Sequence, residues 1–177
     1  MGLDGVIGSD VDTGTVTIDF SGLDSTASIT TVELPANVVK EIAEAVNDPE
    51  NDAESLEIVM TSGVSITFDA DALSEKVSQA DGADITISIE SHEDADLTDA
   101  QKDAIGSRLA FDINVTSGGE HISDIGGKIT IGAPYELKPD EKESGLVVWY
   151  VDNEGNRERC QGSYDPINKR MNWETDH

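Results

Sequence analysis

"LVVWYVDNEGNRERC" (146–160) and "SYDPINKRMNWETDH" (163–177) lie two residues apart, and their reading decides the fold. Val147 to Val151 is an unbroken run of β-branched and aromatic residues, the pattern of a strand buried on both faces. Asn153-Glu154-Gly155-Asn156 supplies turn chemistry, and Asp165-Pro166 with Asn168 marks a second reversal. The expected product is an antiparallel strand pair followed by a third strand. That strand stops abruptly at His177, as expected of a module cut from a longer chain.

Working back from there, the same grammar repeats. "KITIGAPYEL" (128–137) reads as a strand, and "LAFDINVTSGGEHIS" (109–123) as a hairpin across Gly118-Gly119. Thr98 with Gln101 three residues on matches a capping box for a short helix ending near Gly106. "ADITISIE" (83–90) alternates, with Ile85, Ile87 and Ile89 on one face. "SLEIVMTSGVSITFDA" (55–70) reads as strand, Ser62-Gly63 turn and strand. Asp71 is placed to cap a helix through residues 72–80, where Leu73 and Val77 lie four apart. Pro35 suits the first residue of a helix along which Val38, Val39, Ile42 and Val46 recur at helical spacing, closed by Asn47-Asp48-Pro49. Residues 48–54 form an acidic loop. Residues 28–34 and 15–20 read as strands, the latter with Val16, Ile18 and Phe20 on one face. Residues 1–14, rich in Gly and Asp, read as a flexible linker. About ten short strands and three short helices result, with strands in hairpin-like neighbours. The expected fold is mainly β: an antiparallel β-sandwich with two or three short inserted helices, a single domain over residues 15–177.

Composition narrows the function. Eleven basic against 37 acidic residues give a net charge of −26. That argues against nucleic acid, whose phosphates are met by Lys and Arg, and against anionic lipid. The charge is uneven: residues 138–177 carry six basic and nine acidic side chains, the rest of the chain five and 28. No run of 18 apolar residues exists, so no membrane insertion is expected. The opening residues lack the basic and apolar parts of a secretory signal, so any export signal would lie upstream. Cys160 stands alone, which excludes an intrachain disulfide and fits a cytoplasmic protein and an anaerobe's surface protein equally well.

"VELPANVVKEIAEA", "VSITFDADAL", "ADITISIE", "LTDAQKDAIG", "FDINVTSGGEHISDIGGKITIGAPYELKPDEK" and "GLVVWYVDNEGNRERC…YDPINKRMNWETDH" together cover nearly everything from about residue 30 onward. In order and spacing they resemble a module of Firmicutes cell-surface proteins, often found just before surface-layer-homology repeats. The resemblance implies a sandwich displayed outside the cell, at the cell surface or cell wall. Its partners would be neighbouring domains of the same polypeptide, with a cell-wall polymer or a host protein as further candidates. The ending, a Trp173 strand running into His177, is also remotely similar to the self-cleaving GAIN sandwich domains of adhesion receptors. There the equivalent His accepts the proton of a hydroxyl two residues on, which attacks the intervening carbonyl in an N-to-O acyl shift. This chain ends at that His and lacks the paired cysteines of that family.

The residues themselves offer three candidate chemistries. Calcium wants carboxylate and carbonyl oxygens. Asp48, Glu50 and Asp52 are its best candidates, ahead of Asp10, Asp12 and Asp19 and of the alternating Asp152, Glu154, Asn156 and Glu158. None completes the twelve-residue calcium loop, and alternating acids also describe an exposed hairpin face. His92, beside Glu93, Asp94 and Asp96, lacks the second His or Cys that a transition-metal site normally shows, and His121 lies apart from it. Trp149, Tyr150, Tyr164 and Trp173 could line a sugar platform. Against that, Trp149 and Tyr150 point to opposite faces of a strand, so one is expected in the core, and Trp173 is expected to pack inward with Met171. No phosphate loop, nucleophile elbow or Cys–His constellation appears. The expected function is therefore a non-catalytic extracellular spacer, with no cofactor beyond a possible calcium. The alternatives are a carbohydrate- or protein-binding module, or a self-processing domain acting through His177.

Overall fold

Alternation builds the sheets, because side chains at i and i+2 of a strand share a face. The computed structural model describes residues 7–10, 14–23, 29–51, 53–80, 82–93, 96–122 and 127–175. Seven strands form the large sheet, in the order β1 (Ile7–Asp10), β2 (Thr15–Asp19), β4 (Ser55–Val59), β5 (Ser65–Asp69), β9 (Ile129–Pro134), β13 (Arg170–Thr175) and β12 (Gly162–Asp165). A four-stranded sheet runs β3 (Thr31–Leu34), β6 (Ile85–Ser91), β7 (Phe111–Ser117), β8 (Glu120–His121). The strands β10 (Val148–Val151) and β11 (Arg157–Cys160) make a separate ribbon. The helices α1 (Ala36–Val46), α2 (Ala70–Ala80) and α3 (Asp99–Ile105) are short.

One row of residues crosses the large sheet. Ile7, Ile18, Ile58, Ile66, Ile131 and Trp173 are successive cross-strand partners. Ile18, Ile58, Ile66 and Ile131 are buried, and Trp173 packs against the same core. Val32, Leu34, Ile85, Ile87, Ile89 and Val115 of the smaller sheet join that cluster, as do Val39, Ala43 and Val46 of α1 and Ala72 and Leu73 of α2. Two sheets and two helices thus share one apolar interior. The fold is the expected mainly-β sandwich with short helical inserts.

One pairing departs from the antiparallel pattern: β2 and β4 run parallel. A parallel pair needs a long crossover, and the chain between them supplies it with β3 and α1. Every other pairing in the large sheet is antiparallel, so β1 and β13 run in the same direction. The described chain enters the sheet at one end and leaves it at the other.

The helices are fastened by polar side chains at their ends. Asp69, the last residue of β5, caps α2: its Oδ1 accepts from Ala72 N at 2.8 Å, and its Oδ2 accepts from Lys128 N at 2.9 Å. Gly127 permits this approach, since a Cβ there would lie 2.3 Å from Ala72 N. The expected cap, Asp71, is instead exposed within the first turn, because helix follows strand with no loop between. Helix α1 begins at Ala36, one residue past Pro35, whose backbone is still extended. Asn47 closes it and donates through Nδ2 to Ala43 O (2.7 Å) and to Ser74 Oγ (2.9 Å) of α2. The capping box of α3 forms as expected, Thr98 with Gln101.

Three further expectations are corrected. Within the expected linker of residues 1–14, Ile7–Asp10 is an edge strand paired to β2; its backbone pairing outweighs a Gly- and Asp-rich composition. The strand expected over residues 28–34 begins at Thr31, and Ser28 lies outside the described residues. Val147–Val151 is not buried on both faces: Val147, Trp149 and Tyr150 are exposed by 40%, 49% and 43%. The reason is that β10 pairs only with β11, outside the two sheets that enclose the core.

Candidate functional site

The ribbon β10–β11 is built from its turn outward. Asp152 Oδ1 accepts from Glu154 N (2.9 Å) and Asn156 N (2.8 Å), and its Oδ2 accepts from Asn156 Nδ2 (2.8 Å). These donors, the Asn156 side chain first, hold the Asp152 carboxyl below the usual range. Gly155 completes the turn at φ +82. The turn then docks on α3: Thr98 Oγ1 donates to Asn153 O at 2.9 Å, and Arg157 Nη2 to Ala104 O at 2.6 Å. At the far end only Gln161 separates β11 from β12, and the chain bends there from ribbon into large sheet. Val148 closes the joint, with its Cγ2 3.2 Å from where a Cβ on Gly162 would stand.

This geometry sorts the four aromatic candidates. Trp173 packs on the core and Met171 is buried, so the inward pair is as expected. Tyr164 is taken up by Tyr135: the rings meet edge to face at 6.4 Å, and Tyr164 donates its hydroxyl to Tyr135 O at 3.1 Å. Tyr135 in turn donates to Glu141 at 2.9 Å. Burial, then that bond, raises the Tyr135 phenol, while the Lys138 N–H and then the phenol lower Glu141. Neither Trp149 nor Tyr150 enters the core, contrary to the expectation for one of them. They occupy opposite faces, so the four residues do not form one platform.

The register places a partner beside Trp149 that the residue-by-residue reading missed. Arg159 is directly opposite it, Glu158 opposite Tyr150, and Cys160 opposite Val148. Directly opposed residues share a face, with Cβ atoms about 4.5–5.5 Å apart. Counting outward from the Asp152–Asn156 turn would have found this pair. Arg159 also lines a cleft of about 310 Å³ with Gly127, Lys128, Glu158, Gln161 and Glu174. Within it Lys128 Nζ stands 3.4 Å from Glu174 Oε1.

Asp48 and Asp152, among the described acidic candidates, serve the chain itself. The alternating set at 152–158 is divided by its turn, with the Asp152 oxygens facing N–H donors rather than a common centre. Asp165 repeats the design: Oδ1 accepts from Ile167 N (2.9 Å) and Asn168 N (3.1 Å), and Oδ2 from Asn168 Nδ2 (2.7 Å). Asp48 Oδ1 accepts from Glu50 N at 2.9 Å, a bond that folds the exposed 48–51 loop on itself. Asp52 lies outside the described residues, as do Asp12 and Asp94. No group of three or more His, Cys, Asp or Glu suited to a metal occurs among the described residues.

His92 is half-buried in the turn after β6, and its Nδ1 has no hydrogen-bond partner among the described residues. His121 is exposed on β8, in a different part of the small sheet. His177 lies outside the described residues. Cys160 sits on β11, as its strand-like surroundings suggested. No family model, curated protein or solved structure matches this chain.

Proposed function

We propose that this chain is a non-catalytic structural module, a spacer of a bacterial cell-surface protein of the surface-layer type. It works outside the cell, between neighbouring domains of the same polypeptide. The observation that supports this reading best is the shared direction of β1 and β13 in one sheet. A chain entering at one end and leaving at the other transmits tension along the strands. Tension in that direction loads several ladder hydrogen bonds together, in shear, rather than opening them one at a time. The parallel β2–β4 pair, five residues long, lies directly in that path. The self-satisfied turns at Asp152 and Asp165 and the acidic surface suit a solvated, repulsive exterior.

Pulling a tandem array of the module from its two ends tests the reading. The expected record is one abrupt event per module, each lengthening the chain by more than about 50 nm, the reach of a fully extended segment of this size. Gradual lengthening at low force would sink the mechanical role. Protease shaving of intact cells that make the parent protein should release peptides of this module. Peptides recovered only after lysis would remove the extracellular assignment.

A further inference from the structure

We propose that the Trp149–Arg159 face of the ribbon, with the cleft beside it, binds a sugar ring bearing a carboxylate: a hexuronate unit of an acidic polysaccharide. Trp149 presents 49% of its surface to solvent, and Val147, just ahead of β10, 40%. An indole face this open matches the apolar C–H face of a pyranose. Arg159 stands directly across the strand from it, so ring and guanidinium can contact one ligand.

The state of Arg159 points to the charge. Acids outnumber bases 37 to 11 in this chain. Yet Arg159 makes no hydrogen bond or ion pair among the described residues, while its neighbour Arg157 is bound to Ala104 O at 2.6 Å. Lys128, across the cleft, is already 3.4 Å from Glu174. Of the two cations lining the cleft, Arg159 is therefore the one available to a carboxylate, and its planar fork matches one through two parallel hydrogen bonds. The cleft of about 310 Å³ has Gln161 in its wall, whose amide can both donate to and accept from sugar hydroxyls. A polar wall beside an apolar platform fits a sugar, with its apolar face and hydroxyl edge, better than the apolar anchor of a peptide. One free guanidinium on a chain of net charge −26 does not make a nucleic-acid surface.

Trigalacturonic acid and its fully methyl-esterified form, titrated into the protein with indole N–H signals followed by NMR, test the proposal. The ester keeps the ring and removes the charge. The expected result is a saturable shift of the Trp149 indole with the acid, and binding at least tenfold weaker with the ester. R159Q should lose at least tenfold, R159K should retain part of the affinity, and W149A should abolish binding while the Trp173 signal stays in place. Four results would each overturn the proposal: no saturable shift at millimolar acid, equal binding of acid and ester, unchanged affinity in R159Q, or equal displacement by a glutamate-rich peptide.

Discussion

The Arg170 guanidinium lies across Gly132. Its Nη2 donates to Gly132 O at 2.9 Å and to Ser65 Oγ at 2.8 Å, and its Nη1 to Gly63 O at 2.9 Å. One side chain of β13 thus reaches over β9 to the hairpin that opens β5. It can do so because Gly132 carries no side chain: a Cβ there would lie 2.5 Å from Nη2 and 3.0 Å from Ser65 Oγ.

Gly132→Ala should therefore displace the guanidinium. Hydrogen bonds to charged groups contribute about 1.5–3 kcal/mol, and Arg170→Ala should cost an amount in that range. Gly132→Ala should cost roughly as much, and the double variant clearly less than the sum, because both remove the same contacts. Chemical denaturation of the four proteins checks this. Additive losses would mean that the two residues act independently.

Asp69, not Asp71, holds the start of α2. Asp69→Ala removes a helix cap and leaves Lys128 N without its acceptor, an expected loss of about 1–3 kcal/mol. Asp71→Ala should stay within about 0.5 kcal/mol, as exposed substitutions do. Thermal unfolding of both variants separates the two. Comparable losses would restore Asp71 as a cap.

Gly155 is the contact point between ribbon and α3. It has φ +82, and a Cβ there would stand 2.7 Å from Ala100 O. Gly155→Ala should lift the turn off α3 without reaching the core. Native-state hydrogen exchange should show β10 and β11 amides exchanging at least tenfold faster, with those of β4 and β5 unchanged. Uniform acceleration would mean that ribbon and sandwich unfold as one unit.

The turns should fail together in acid. The Asn156 side chain lowers the Asp152 carboxyl, and the Asn168 side chain lowers that of Asp165. A carboxyl lowered by folding contributes stability that is full above its unfolded value, about 3.9 for Asp, and lost as pH falls through the folded value. Both turns should then be intact from neutral pH down to about pH 4 and loosen below it. Carboxyl NMR titration should give both residues midpoints below the unfolded value, and Asn156→Ala should raise that of Asp152 alone. An unmoved midpoint would remove Asn156 as the cause.

Most of the strand and turn pattern was legible because it rests on contacts within a few residues. Period-two alternation marked β2, β5 and β6, and the Thr98–Gln101 box is a four-residue device that forms where it was read. The Asp165 reversal is equally local, with its Oδ1 bonded to Ile167 N and Asn168 N. The aromatic candidates were harder. Trp173 was legible as core, but Tyr164 is withdrawn by Tyr135, 29 residues away, and Trp149 gains Arg159 through cross-strand register.

By itself, then, the sequence determined that this protein is a set of short strands with helical inserts, where the chain turns, and which face of β2, β5 and β6 is apolar. Only the tertiary structure decided that β2 and β4 run parallel, that Asp69 serves α2 and the residue leading into β9 at once, that Arg170 spans three strands, and that the most apolar run in the tail faces water. The reason is physical. Alternation records which side chains share a face, but what covers that face depends on strands brought alongside from tens of residues away. The ribbon has no second sheet to cover it.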